Sequence, residues 1–173
     1  MTTFVERIEQ SNSNPSDPRN REVIYPDIDP ESGNLATPIN ASKLARGFIN
    51  NLSAYRPGIS VQQRGLEVGL AHGYWLYGPF VTFNPLRHSA HPDLIALSST
   101  IGLIVISTLA ILLYAASHPP QPIATLTTPN PPQDFSNPHG WRVYAQGFLI
   151  GGLLGATIAY LLVANLHPIQ TFF

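Results

Sequence analysis

Beyond residue 60 the chain is dominated by apolar runs; before it, polar and apolar positions mix without a period. Leu94–Ala116, "LIALSSTIGLIVISTLAILLYAA", is 23 residues without a charge, and Val143–Leu166 is 24, also uncharged. As helices they rise about 34–36 Å, enough to cross a hydrocarbon core of about 30 Å. Gly65–Phe83 is a third apolar run, but Glu67, His72 and Pro79 interrupt it. The pattern predicts three spans, over about 63–83, 94–116 and 143–166, the first being the least apolar.

"NASKLARGFINNL" predicts a short amphipathic helix over about 40–52. Asn40 is placed to cap it, and Leu44, Phe48 and Leu52 recur every four residues on one face. Lys43 and Arg46 point elsewhere, as in a helix lying on a membrane surface. Pro57-Gly58 ends it. The rest of residues 1–60 reads as an irregular arm. Pro15, Pro18, Pro26, Pro30 and Pro38 forbid long helices there. Between the second and third spans, the loop over 117–141 holds six prolines from Pro119 to Pro132 and is expected to be extended and stiff. The fold class expected is an all-α membrane protein: a water-facing arm, 1–60, followed by a three-helix membrane domain, 61–173.

Composition sharpens this. Only 11% of residues are charged, where a soluble domain carries about 25%. Seven of the ten acids and seven of the nine basic residues precede Leu66. A net charge of −1 leaves no basic footprint for nucleic acid. The absence of cysteine removes disulfides, thiolate metal sites and cysteine nucleophiles. The start, "MTTFVERIEQ", places Glu6, Arg7 and Glu9 where a signal peptide needs an apolar core, so insertion without cleavage is expected. With three spans, Arg87 stands alone on one side, while the side of the arm and the long loop holds the other eight basic residues. The arm and loop are therefore expected in the cytoplasm and the C-terminus across the membrane.

Two constellations carry the candidate chemistry. Gly65, Gly69 and Gly73 repeat at four-residue spacing, as do Gly147, Gly151 and Gly155. That spacing clears one helix face for close packing or for a flat cofactor. Glu67 and His72, five residues apart, are separated on a helix by about 140° and about 7.5 Å, too far round for one chelate. They suit two separate tasks, and ionisable residues inside a span mark function by default. A polar pair bonded to its neighbours, with Arg64 beside Glu67, is the structural alternative. A small proton or ion channel using Glu67 and His72 as a relay is the functional one. No catalytic triad or phosphate loop is recognisable, so no enzyme is expected.

The run "NLSAYRPGISVQQRGLEVGLAHGYWLYGPF", followed by "NPLR", resembles subunit XI of photosystem I, the PsaL family. The resemblance begins near "GNLATPINAS", is densest from Asn51 to Arg87, and extends through the later spans. It implies a non-catalytic subunit of a cyanobacterial-type thylakoid membrane, with a cytoplasmic N-terminus and a lumenal C-terminus. Implied partners are the large core subunits, the small membrane subunits, the stromal subunit, lipids, and copies of the chain in neighbouring monomers. Implied cofactors are chlorophyll a and beta-carotene. Carried over onto this sequence, Glu67 and His72 are axial ligands of chlorophyll magnesium, a role that hard oxygen or imidazole donors suit. Compared with short members of the family, the arm and the loop are long, which leaves trimer and tetramer both open. "NLHPIQTFF" has no acid to match the calcium site suggested for some relatives.

Overall fold

The computed structural model describes residues 25–26 and 35–170, with side chains from 37 to 165. Expectations for the rest of the arm lie outside the described residues. The regular secondary structure of the described part is helical apart from one two-residue antiparallel pairing, β1 (Tyr25–Pro26) with β2 (Leu35–Ala36). The helices are α1 (Lys43–Asn51), α2 (Val61–Phe83), α3 (Pro92–Ala116) and α4 (Pro138–Gln170), with a 3-10 turn at Gln133–Ser136. They fall in two compact units. One reaches Pro57 and takes in Ile123–Pro132; the other comprises Gly58–Pro122 and the chain from Gln133 on.

In the first unit α1 is capped by Ser42, whose Oγ accepts from the Ala45 amide at 3.1 Å, not by Asn40 as the sequence suggested. Asn40 is engaged one turn earlier: its Oδ1 accepts from the Thr37 amide at 2.8 Å, and its own amide donates to Thr37 Oγ1. The stretch 123–132 is also not simply extended. Thr125 and Thr128 close a tight turn through hydroxyl and backbone bonds. That turn is fastened to α1 and to the turn before it: Asn50 Nδ2 donates to the Thr127 carbonyl at 2.8 Å, and Thr127 Oγ1 donates to the Asn40 carbonyl. Three threonines and Asn50 thus override the proline-rich composition by offering the backbone local partners.

In the second unit, α3 and α4 are long and apolar enough to cross a membrane. Only 22% of the most apolar window of α3, and 39% of that of α4, is buried. Outward-facing Val105, Ile106, Leu109, Leu113, Leu154 and Leu161 are exposed. A soluble core helix would hide such residues; here they form a continuous apolar exterior suited to lipid or to other membrane subunits. α2 is long enough to span, at 23 residues, but Gln62, Gln63, Arg64 and Glu67 make its first turns polar. It continues through Pro79 without ending. α4 starts five residues before the apolar run because Asn137 Oδ1 accepts from the Gly140 amide at 3.0 Å and Pro138 takes the first helical position.

α2 and α4 make the most extensive helix contact, and α3 packs on both. Thr100 and Ile104 of α3 are fully buried. Ser98, Ser99, Thr100 and Thr108 each donate to the carbonyl four residues earlier at 2.8 Å, so these hydroxyls are satisfied within their own helix.

Candidate functional site on the second helix

The face of α2 that carries Gly65, Gly69 and Gly73 is buried, and it meets the glycine face of α4 at backbone distance. A Cβ on Gly65 would collide with the Tyr144 carbonyl, one on Gly69 with that of Phe148, and one on Gly73 with that of Gly152. The relation is reciprocal. A Cβ on Gly147, Gly151 or Gly155 would collide with the carbonyls of Gln62, Leu66 and Leu70 respectively. Positions rise together on the two helices, so they run parallel. The contact brings Cα hydrogens against carbonyl oxygens, a weak but repeated attraction at close helix crossings.

Glu67 and His72 project from the remaining faces. Glu67 is half-buried, and its Oε1 accepts from Gln63 Nε2 at 3.1 Å. His72 is exposed, and its Nδ1 lies 2.8 Å from the Val68 carbonyl. A carbonyl can only accept, so Nδ1 carries a proton, and in the neutral ring Nε2 then presents a lone pair. Phe148 of α4 meets the imidazole edge-on, with ring centres 5.4 Å apart. The ring is thus oriented by a bond from one side and a packed aromatic on another, as second-shell partners orient metal-bound histidines.

One turn beyond His72 lies an apolar cleft of about 270 Å³, lined by Tyr74, Trp75, Tyr77, Gly78, Leu162 and Val163 among others. Tyr77 forms its floor: it is buried, packs edge-on to Tyr160 at 6.4 Å, and donates to the Asp93 carbonyl at 3.5 Å. Trp75 is 75% exposed, an uncommon cost for an indole unless something apolar lies against it. Among the described residues no group of three or more histidine, cysteine or acidic side chains could hold a bare metal ion. The donors available are single ones, a carboxylate and an imidazole, suited to a metal that arrives with its other ligands in a macrocycle. His88 and His91 lie in the connection between α2 and α3.

Gln63 and the Val68 carbonyl were legible in principle, since each stands four residues before the side chain it serves. Phe148 was not, because nothing within α2 points to α4.

The family model described as photosystem I reaction centre subunit XI matches residues 22–168. A photosystem I reaction center subunit XI from Mastigocladus laminosus is 53% identical over 171 residues, covering 98% of this chain and 99% of that one. A subunit of the same name from a Nostoc species is 54% identical over 168 residues, 96% of this chain and 98% of its own. One from a Picosynechococcus species is 51% identical over 150 residues, which is 87% of this chain but 99% of the shorter relative.

Proposed function

This chain belongs to the photosystem I reaction centre subunit XI family, and from that premise we propose a structural and pigment-holding role in the complex. It is a photosystem I subunit of cyanobacterial kind, which places it in the thylakoid membrane, and no catalytic activity is indicated. Its finer role is to join neighbouring monomers, as trimer or tetramer, and to hold antenna chlorophyll a and carotenoid against α2. All three long helices span: α2 joins α3 and α4 because its polar residues are spent on ligands and on helix contacts. The charge asymmetry read from the sequence supports an N-terminal arm in the cytoplasm and a C-terminus in the lumen.

The observation that carries the pigment reading is the His72 imidazole, exposed on a membrane helix with Nδ1 bound to Val68 and Nε2 left as a donor. Chlorophyll magnesium accepts one such axial nitrogen, or a carboxylate oxygen from Glu67. Ligation also removes the several kcal/mol, roughly 2.5–3.5 on insertion scales, that a lone acid costs at a bilayer centre. Two ligands on different faces hold two separate rings. The apolar cleft beside Trp75 and Tyr77 suits the ring or tail of a carotenoid.

Gentle detergent solubilisation should return this chain in a chlorophyll-rich assembly of several hundred kilodaltons. In such complexes His72→Ala and Glu67→Ala should each lose one chlorophyll per copy of the chain. Unchanged pigment content in both variants would overturn the ligand assignment, and a small colourless complex would overturn the subunit role.

A further inference from the structure

The first unit carries a cleft that the pigment role does not use. It measures about 410 Å³ and is lined by Lys43, Arg46, Asn50, Tyr55, Pro57 and Pro129, among others. Within this unit's described residues, Lys43, Arg46 and Arg56 are the charged side chains, and none is acidic. Lys43 is exposed and Arg46 half-buried, and among the described residues no ion pair joins either to an acid. The cleft is held open by structure rather than by loose chain. Asn50 bridges the Arg46 and Thr127 carbonyls at 2.7 and 2.8 Å, which fixes the loop wall against α1.

The same helix presents a second surface. Leu44 is 87% exposed and Phe48 68%, and they lie about 140° round α1 from the face of Lys43, Arg46 and Asn50. A bilayer or apolar protein surface takes the leucine face, and the cationic cleft is then turned toward water. That geometry disfavours a lipid headgroup in the cleft, and its proline walls suit a peptide better than a bare phosphate. We propose that this cleft is a docking site for an acidic peptide segment of a neighbouring, water-exposed subunit, with carboxylates meeting Lys43 and Arg46. Charge complementarity chooses the partner, and the bidentate guanidinium fixes its register. The proposal rests on the chain's place in a multi-subunit complex and goes beyond it by locating one contact.

A water-soluble carbodiimide forms an amide directly between an ammonium and a carboxylate already in contact, with loss of water to the reagent. Applied to the purified complex, it should join Lys43 to an aspartate or glutamate of another subunit, identified by mass spectrometry of the linked peptides. In parallel, Lys43→Gln/Arg46→Gln should weaken salt-resistant retention of that subunit by about tenfold, as expected for two partly exposed pairs. Both side chains have good helix propensity replaced in kind, so α1 is retained. A link from Lys43 to an acid of this chain's own arm would overturn the proposal. So would loss of phosphatidylglycerol from the double variant without any cross-link, which would make the occupant a lipid. No Lys43 link together with unchanged retention overturns it as well. Absence of the chain from the complex, in contrast, would fail the subunit role itself.

Discussion

Gly69 of α2 lies against the main chain of Phe148 in α4, so closely that a Cβ there would overlap the Phe148 carbonyl and stand 2.8 Å from its Cα. Backbone cannot step aside as a side chain can. Gly69→Ala should therefore push the helices apart, costing about 1–3 kcal/mol as core overpacking does. Gly102 of α3 offers the control: nothing lies within 4 Å of its missing Cβ. Gly102→Ala should be neutral or stabilising by up to about 1 kcal/mol. Thermal release of the subunit from detergent-solubilised complex would separate the two, and equal behaviour would show that the seam is not under close contact.

Gly151 and Gly152 are neighbours with different obstacles. A Cβ on Gly151 would strike the Leu66 carbonyl, whereas one on Gly152 would meet the Ile104 side chain, 2.5 Å from Cγ2. A side chain can be shortened and a carbonyl cannot. Gly152→Ala should be substantially rescued by Ile104→Ala, which removes Cγ2 with the rest of the branch, with a coupling of about 1 kcal/mol between the pair. Gly151→Ala should gain nothing from the same second change. The readout is again thermal retention, taken as a double-mutant cycle.

Trp141 ties the 3-10 turn to the start of α4. Its Nε1–H donates to the Phe135 carbonyl at 3.0 Å, and its ring lies 4.4 Å from that of Phe135 and 5.0 Å from that of Tyr114. Trp141→Phe keeps most of the ring contact and removes the donor, for a loss of about 1 kcal/mol. Trp141→Ala removes both and should cost about 3 kcal/mol or more. A loss for Trp141→Phe as large as for the alanine variant would make the hydrogen bond dominant over packing.

Thr127 holds the loop turn at both ends of its own residue, its carbonyl to α1 through Asn50 and its hydroxyl to the Asn40 carbonyl in the turn before α1. Thr127→Val removes the hydroxyl bond, and Asn50→Ala removes the carbonyl one together with the Asn50 bond to the Arg46 carbonyl. Each should raise the rate of limited proteolysis within residues 123–132 by about fivefold, corresponding to about 1 kcal/mol of local stability. Unchanged cleavage would mean that the prolines alone protect the segment.

The apolar runs at 94–116 and 143–166 announced α3 and most of α4, because length and lack of charge are all that such helices require. The start of α4 escaped, since Asn137 and Pro138 act through capping rather than through hydropathy. Asn40 and Ser42 were both competent caps, and only the competing turn at Thr37 decides between them. At the site, Glu67 and His72 stood out as ionisable groups in an apolar run. The glycine spacing was equally visible, but its pairing was not. A four-residue repeat on both helices allows the register to slip by four without changing the pattern. Contacts elsewhere, such as Ile104 against Gly152, favour one register. The cleft beside Lys43 was invisible for another reason: its walls come from segments more than seventy residues apart.

The paired glycine faces have one more consequence. An ordinary helix interface is made of rotamers, and each can hop, so the two helices rock by small steps as their side chains rearrange. The α2–α4 seam is made of main chain at its narrowest points and has no such hinges. His72 stands on one wall of it and Phe148 on the other. A chromophore held by His72, as proposed, would inherit the stillness of two backbones, and its transition dipole would hold one direction relative to its neighbours. Excitation exchange depends on that angle as well as on separation, and for a pigment held by His72 the angle would be set by residues that have no side chains at all.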